Sequence, residues 1–257
     1  MTTQALILIG GSVLLFITAL ACIIAAEQRA GRLAAMHNTK PYTAQAIAQI
    51  HQQIARGSLR EGWGYACEIT GMVECDTAIL TPQTQQTCVA YSHAVMRETW
   101  QKLGAFDHRR AHDSDGWVKT DSSNTYDLRH VPTFRVRDAT GCVLVDPAFA
   151  DFDLEQRDKH YEVMSFSIGE GEYRTWHDEK ALETGRTAYV LGYLADRDGQ
   201  PILMRHPSNT HKKFIVSYRT EQELAKATGG AVNGFYFAAG LSGGIALILL
   251  VLLFVRF

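Results

Sequence analysis

Two histidines four residues apart, His108 and His112, stand beside Asp113 and Asp115. On a helix both imidazoles would share one face and could hold a divalent metal. The Asp-Ser-Asp-Gly run at 113–116 breaks a helix, however, and no cysteine pair lies near. The segment therefore reads as a solvated polar loop, and no metal is expected. Cys67 and Cys75 are too far apart for the tight knuckle of a zinc ribbon. Cys88 and His93 suggest a nucleophile and its base. On a regular strand, positions five apart point to opposite faces, so Cys88 is expected to be a buried structural thiol. Glu170, Glu172, Asp178 and Glu179 gather around Trp176. Paired carboxylates can do acid–base work, but a solvated acidic face is the commoner use. Arg205, Lys212 and Lys213, with His211, form a small basic patch suited to anionic lipid headgroups or a phosphate ligand, or to plain surface. His130, His160, His177 and His206 are scattered, and nothing in the sequence assembles them. The chain shows no phosphate-binding glycine loop, no zincin motif and no nucleophile elbow. No catalytic residue and no cofactor are expected.

The elements that must carry these residues begin and end with apolar runs. Residues 5–26 and 234–255 contain no charged residue, and each is long enough to cross a bilayer core. Only Met1-Thr2-Thr3-Gln4 precede the first run, without the basic n-region of a signal peptide, so an uncleaved anchor is expected. Arg29, Arg32, Lys40 and Lys226 flank the spans on the domain side, against Arg256 outside. The positive-inside bias predicts a cytoplasmic domain. There Cys67, Cys75, Cys88 and Cys142 would remain thiols, and two disulfides would be open to them in an oxidising compartment. Gly240 and Gly244 in the second span have the small-xxx-small spacing that lets helices approach, with the first span or another copy as partner. A net charge of −2 across 257 residues gives no basic field, so no nucleic-acid partner is expected.

Between the spans, residues 27–60 form a helical connector. Thr43 can cap a helix over 41–56, Ile47, Ile50 and Ile54 form one stripe, and Gly57 ends it. Residues 61–228 form a β-rich domain. Alternating segments at 65–73, 88–96, 131–136, 142–145, 187–194, 202–204 and 213–218 predict strands. Asp138-Ala139-Thr140-Gly141 and Asp196-Arg197-Asp198-Gly199 predict hairpin turns. Residues 107–129 read as a long exposed loop around Trp117. Residues 220–227 read as a short helix opened by a Thr220/Glu223 capping box. The expected fold class is α+β: two transmembrane helices flank a β-rich soluble domain, barrel-like or a curled antiparallel sheet, with a few short helices.

One ordered set of segments resembles the GIDE domain, also called BAM, "beside a membrane". Gly71-x-Val73, Leu80-Thr81-Pro82 and Cys88-Val89-Ala90-Tyr91 resemble its opening. Phe134-x-Val136-x-Asp138-x-x-Gly141-x-Val143-x-Val145-Asp146-Pro147 is similar to its central hairpin. Glu179-x-x-Leu182-x-x-Gly185, Tyr189-Val190-Leu191-Gly192 and Phe214-Ile215-Val216-Ser217 resemble its later part. The likeness runs over roughly residues 60–255, and the two-span layout agrees with it. It implies a membrane-bound E3 ubiquitin ligase scaffold, in which a zinc-binding RING finger does the transfer. No residue here matches a RING ligand, so ligase activity is expected only with a RING partner in trans. The resemblance implies a sensing or partner-recognition module, non-catalytic on its own and coupled to its spans as an effector. Its expected partners are the lipid bilayer, an unknown protein or small-molecule ligand, and a second copy through the spans. The expected site is a multi-pass protein of a bacterial inner membrane or an organelle membrane.

Overall fold

The computed structural model describes residues 3–57, 63–102, 117–166 and 171–256. In chain order the elements are α1 (Thr3–Asn38), α2 (Ala44–Ala55), β1 (Tyr65–Glu74), β2 (Ile79–Leu80), β3 (Thr87–Lys102), β4 (Trp117–His130), β5 (Phe134–Asp138), β6 (Gly141–Val145), β7 (Asp151–Asp153), β8 (Glu155–Phe166), β9 (Gly171–Glu183), β10 (Thr187–Arg197), β11 (Gln200–Met204), β12 (Ile215–Ser217) and α3 (Glu221–Arg256). The fold is α+β. It divides into a helical unit, built on α1 and α3, and a β unit spanning most of residues 41–218.

In the helical unit, α1 and α3 are both long and apolar enough to cross a membrane. They run antiparallel. Gly11 lies against Leu249, Ala19 against Gly243, and Leu33 against Gly229. Within the two apolar runs, the buried positions among the described residues are small: Ser12, Ala19 and Ala26 on α1, and Ala239, Ser242 and Ala246 on α3. Small residues let the two backbones approach closely, the packing that replaces hydrophobic association in lipid. Tyr236 donates a hydrogen bond to Glu27 at 2.8 Å, and the Arg29 guanidinium sits over the Phe235 ring at 4.4 Å. The Thr220/Glu223 capping box is present, with reciprocal bonds of 3.1 and 3.3 Å. It does not open a short helix as expected. It opens all of α3, which continues through Gly229-Gly230 because tertiary packing outweighs the modest cost of helical glycine.

In the β unit, β1, β5, β6, β11 and β10 pair in sequence, and β10 pairs back with β1. The ring is closed, so these strands form a small barrel. Strand β12 extends it from β10, and β7 pairs parallel to β12. The interior holds Ile69, Val73, Phe134, Val136, Val143, Val145, Val190, Leu194 and Leu203. Ile47 and Ile54 of α2 join that core. Thr43 caps α2 by accepting from the Ala46 N–H at 3.2 Å. The two predicted turns are present: Asp138 pairs with Gly141, and Arg197 with Gln200. Asp198 and Gly199 both have positive φ, the backbone a two-residue primed hairpin turn needs. Gly71 is required where β1 meets β5, since a Cβ there would lie 2.4 Å from the Arg137 carbonyl oxygen.

The second sheet runs β2-β3-β9-β8, with β4 also paired to β3. Here the structure corrects the loop expected over 107–129 from residue 117 onward, while 107–116 lie outside the described residues. Residues 117–130 are not loop but strand β4, paired with β3 along its length. Strands β8 and β9 go beyond the strands expected from alternation. All three are rich in exposed or half-buried polar residues. Alternation appears in a sequence only when one sheet face packs on a core.

Candidate functional site

Three strands of the second sheet place one histidine each on a common face. In β9, His177 and Glu179 are two residues apart and therefore share a face. The ladder sets His160 of β8 opposite His177, and His93 of β3 opposite Glu179. The His160 and His177 rings stack at 4.6 Å and 11°, and those of His93 and His177 at 5.6 Å and 17°. His93 Nε2 lies 3.4 Å from His177 Nδ1.

Carboxylates frame this imidazole ladder. Asp158 bonds to Nδ1 of His160, and Glu162 lies 3.3 Å from Nε2 of the same ring. The Asp158 bond, helped by the charges of Asp158 and Glu162, raises the pKa of His160 despite burial. Burial, aided by the nearby His160, lowers that of His177. Fully buried Glu179 accepts from the N–H of Gln83 at 2.7 Å, the N–H of Thr84 at 3.1 Å and the Thr84 hydroxyl at 2.6 Å. It thereby pins the β2–β3 connection, which brings the Gln83 side-chain amide to 3.2 Å from His177 Nδ1. One ligand atom each from His160, Glu162 and His177 lie within 4.8 Å of one another. Such an arrangement can take up a proton or a cation.

The opposite face carries exposed apolar side chains among charged pairs. Ladder register places Met96, Tyr126, Leu128, Tyr161 and Val163 on it, with the Tyr161 ring 4.9 Å from that of Trp176.

The other sequence candidates fall differently. His108, His112 and Glu170 lie outside the described residues. The acidic cluster is divided by strand alternation: Glu172, Trp176 and Asp178 share one face, and Glu179 lies on the other. Glu172 pairs with Arg174, and Asp178 with Lys180 at 3.7 Å. Cys88 is fully buried, but the expected separation of Cys88 from His93 fails. The β3–β9 register shifts between Cys88 and Ala90, setting Cys88 opposite Glu183 and His93 opposite Glu179. The bulge thus returns Cys88 to the histidine face. Tyr91 and Ala181 pack on the thiol, and burial pushes it up to about 12. That is the wrong direction for a nucleophile. Cys67, Cys75 and Cys142 are free thiols too. Arg205 donates to the Thr210 carbonyl at 3.1 Å and lies over Phe149, while Lys212 is exposed. A Cβ on Gly240 or Gly244 would meet nothing within 4 Å.

Sequence reasoning misses the ladder because it misses strands β8 and β9. The available signal is the glycine-bounded segment before Gly171. Phe166 faces Gly171, and six residues back on one strand and six forward on the other set His160 against His177.

A family model described as GIDE, E3 ubiquitin ligase, matches residues 107–251. No curated protein and no solved structure matches the chain. The matched segment includes the central hairpin, the later segments and both histidines of the β8–β9 pair, while the segments at 71–91 precede it. Because it covers more than half of the sequence, the chain belongs to the GIDE family.

Proposed function

We propose that this protein is a membrane-tethered recognition module, non-catalytic on its own, whose β unit senses a ligand or partner and passes that state to its paired helices. One observation carries this: the second sheet displays side chains on both faces instead of burying one. An imidazole–carboxylate group stands on one face and exposed Tyr126, Leu128, Tyr161 and Val163 on the other. Exposed apolar surface of this kind marks interaction sites. The thiol at Cys88, pushed up to about 12, favours recognition over nucleophilic chemistry. The positive residues Arg29, Arg32, Lys40 and Lys226 support a cytoplasmic β unit. The open surroundings of Gly240 and Gly244 support association with another copy rather than with α1.

The test is expression of the full chain in bacteria with membrane potential followed, beside an Ala19→Leu variant that spoils the helix pairing. Depolarisation by the parent and not by the variant supports coupled output at the membrane. Equal depolarisation by both removes the coupling. The family's description favours a second reading, a ligase scaffold completed by a RING finger in trans. Ubiquitin conjugation by an added RING protein and E2 that is indifferent to this chain removes it.

A further inference from the structure

We propose that His160, His177 and Glu162 form a binding site for a divalent transition-metal ion of the zinc and cobalt class, with Asp158 as the positioning residue of His160. The proposal rests on the recognition reading and names the ligand of the imidazole face. Two imidazoles and one carboxylate make an N₂O donor set, which suits zinc and its neighbours. Calcium and magnesium prefer all-oxygen shells.

The surroundings support a cation. Asp127, Asp158, Glu162 and Glu179 share this face with the three rings. Among the described residues, Arg97, Arg129 and Arg157 are the guanidinium groups here, and Arg157 is held by Glu155 and, at 3.1 Å, by Glu183. Arg97 lies over Tyr173 at 6.0 Å, and Arg129 is paired with Asp127 at 2.9 Å. Second-sphere partners are in place as well. Asp158 holds Nδ1 of His160 and leaves Nε2, the nitrogen nearer Glu162, to act as a ligand. The Gln83 amide nitrogen lies 3.2 Å from Nδ1 of His177, and exchanging the amide oxygen and nitrogen would make Gln83 the acceptor for Nδ1–H and leave Nε2 to act as a ligand. The ligands stand on paired strands rather than loops, which fixes their spacing. Ligands around a tetrahedral ion at about 2.1 Å lie about 3.4 Å apart. The two rings stack at 11°, so ligation takes them out of the stack: turns about both side-chain torsions of each ring, and of exposed Glu162, bring the in-plane nitrogen lone pairs and the carboxylate to one point from within 4.8 Å. Solvent supplies the fourth ligand.

The experiment uses the full chain in detergent micelles, stripped with chelator and titrated with Co²⁺. The expected result is one equivalent of cobalt with visible ligand-field bands, displaced by Zn²⁺. His160→Gln and His177→Gln each abolish the bands, and Glu162→Gln weakens binding with an unchanged circular dichroism spectrum. Asp158→Asn lowers affinity about tenfold. Absence of the bands at millimolar Co²⁺, or bands that persist in the His160→Gln/His177→Gln double variant, overturns the proposal. Membrane potential in cells expressing the chain separates the two readings. Bound cobalt with an output indifferent to Zn²⁺ refutes ion sensing and leaves the site standing, whereas an output without any cobalt binding refutes the site alone.

Discussion

Burial decides the chemistry of the cysteines. Cys67 and Cys88 are fully buried, and desolvation of the thiolate pushes each to about 12. Cys142 is exposed. With Ellman's reagent, Cys142 is expected to react first, and Cys67 and Cys88 only after denaturant is added. Rapid labelling of Cys88 in the native protein would contradict its packing beneath Tyr91 and Ala181. Glu179 does the opposite work. It is a buried carboxylate on which three donors from Gln83 and Thr84 converge. Glu179→Gln replaces one acceptor oxygen with a donor facing donors, and should cost about 1–3 kcal/mol in urea unfolding. The sequence shows Cys88 as apolar but cannot show its face. One extra residue in the ladder reverses the parity of a strand, and only the partner strand reveals it.

Elements are legible in proportion to how far they bury one face. Helix α2 carries its cap, Thr43, and its stripe, Ile47 to Ile54, in its own residues, and both expectations hold. What the sequence does not display is its second anchor. Asp138, from the β5–β6 turn, accepts the Ala44 N–H at 2.8 Å and the Thr140 N–H at 2.7 Å. Burial pushes this carboxyl up, but bonds from Ala44, Thr140 and Gly141 outweigh it and hold the pKa below the ordinary aspartate value. A lowered folded-state pKa means the stabilisation is complete above the unfolded value, near ~4, and lost as pH falls through the lower one. Asp138→Ala should therefore destabilise by about 1–2 kcal/mol at pH 7. Its difference from the parent should shrink as urea titrations move from pH 5 towards pH 2. A constant difference would show that the carboxylate charge is irrelevant to the anchor. Strands β4, β8 and β9 offer the contrary case. They are held by ladder hydrogen bonds with both faces partly wet, so no periodicity marks them, and the histidine face they build stays hidden with them.

At the scale of the whole molecule, both ends of the chain are helices that pair with one another, and small residues set how closely. The two apolar runs are plain from hydropathy, but their pairing faces are not. The GxxxG spacing draws attention to Gly240 and Gly244, whose surroundings are open, while the α1 contact runs through Ala19, Gly243 and their neighbours. The distinction rests on helix phase, which spacing alone leaves undefined until the partner is seen. A Cβ at Gly243 would stand 4.0 Å from the Cβ of Ala19, inside the range a disulfide spans. An Ala19→Cys/Gly243→Cys chain, with Cys22 replaced by Ala, should cross-link within one polypeptide under mild oxidation in membranes. It should migrate as an oxidised monomer that reduction reverses. Gly240→Cys or Gly244→Cys, each combined with Ala19→Cys in place of Gly243→Cys, should give no intrachain bond and should instead yield dimers where copies associate. Dimers from the 19/243 pair would place that face between copies and overturn the antiparallel hairpin. The locked monomer also tests the coupling. Fixing α1 to α3 at mid-span removes their relative motion, so a domain that signals through that motion must lose its output when the bond forms and regain it when the bond is reduced.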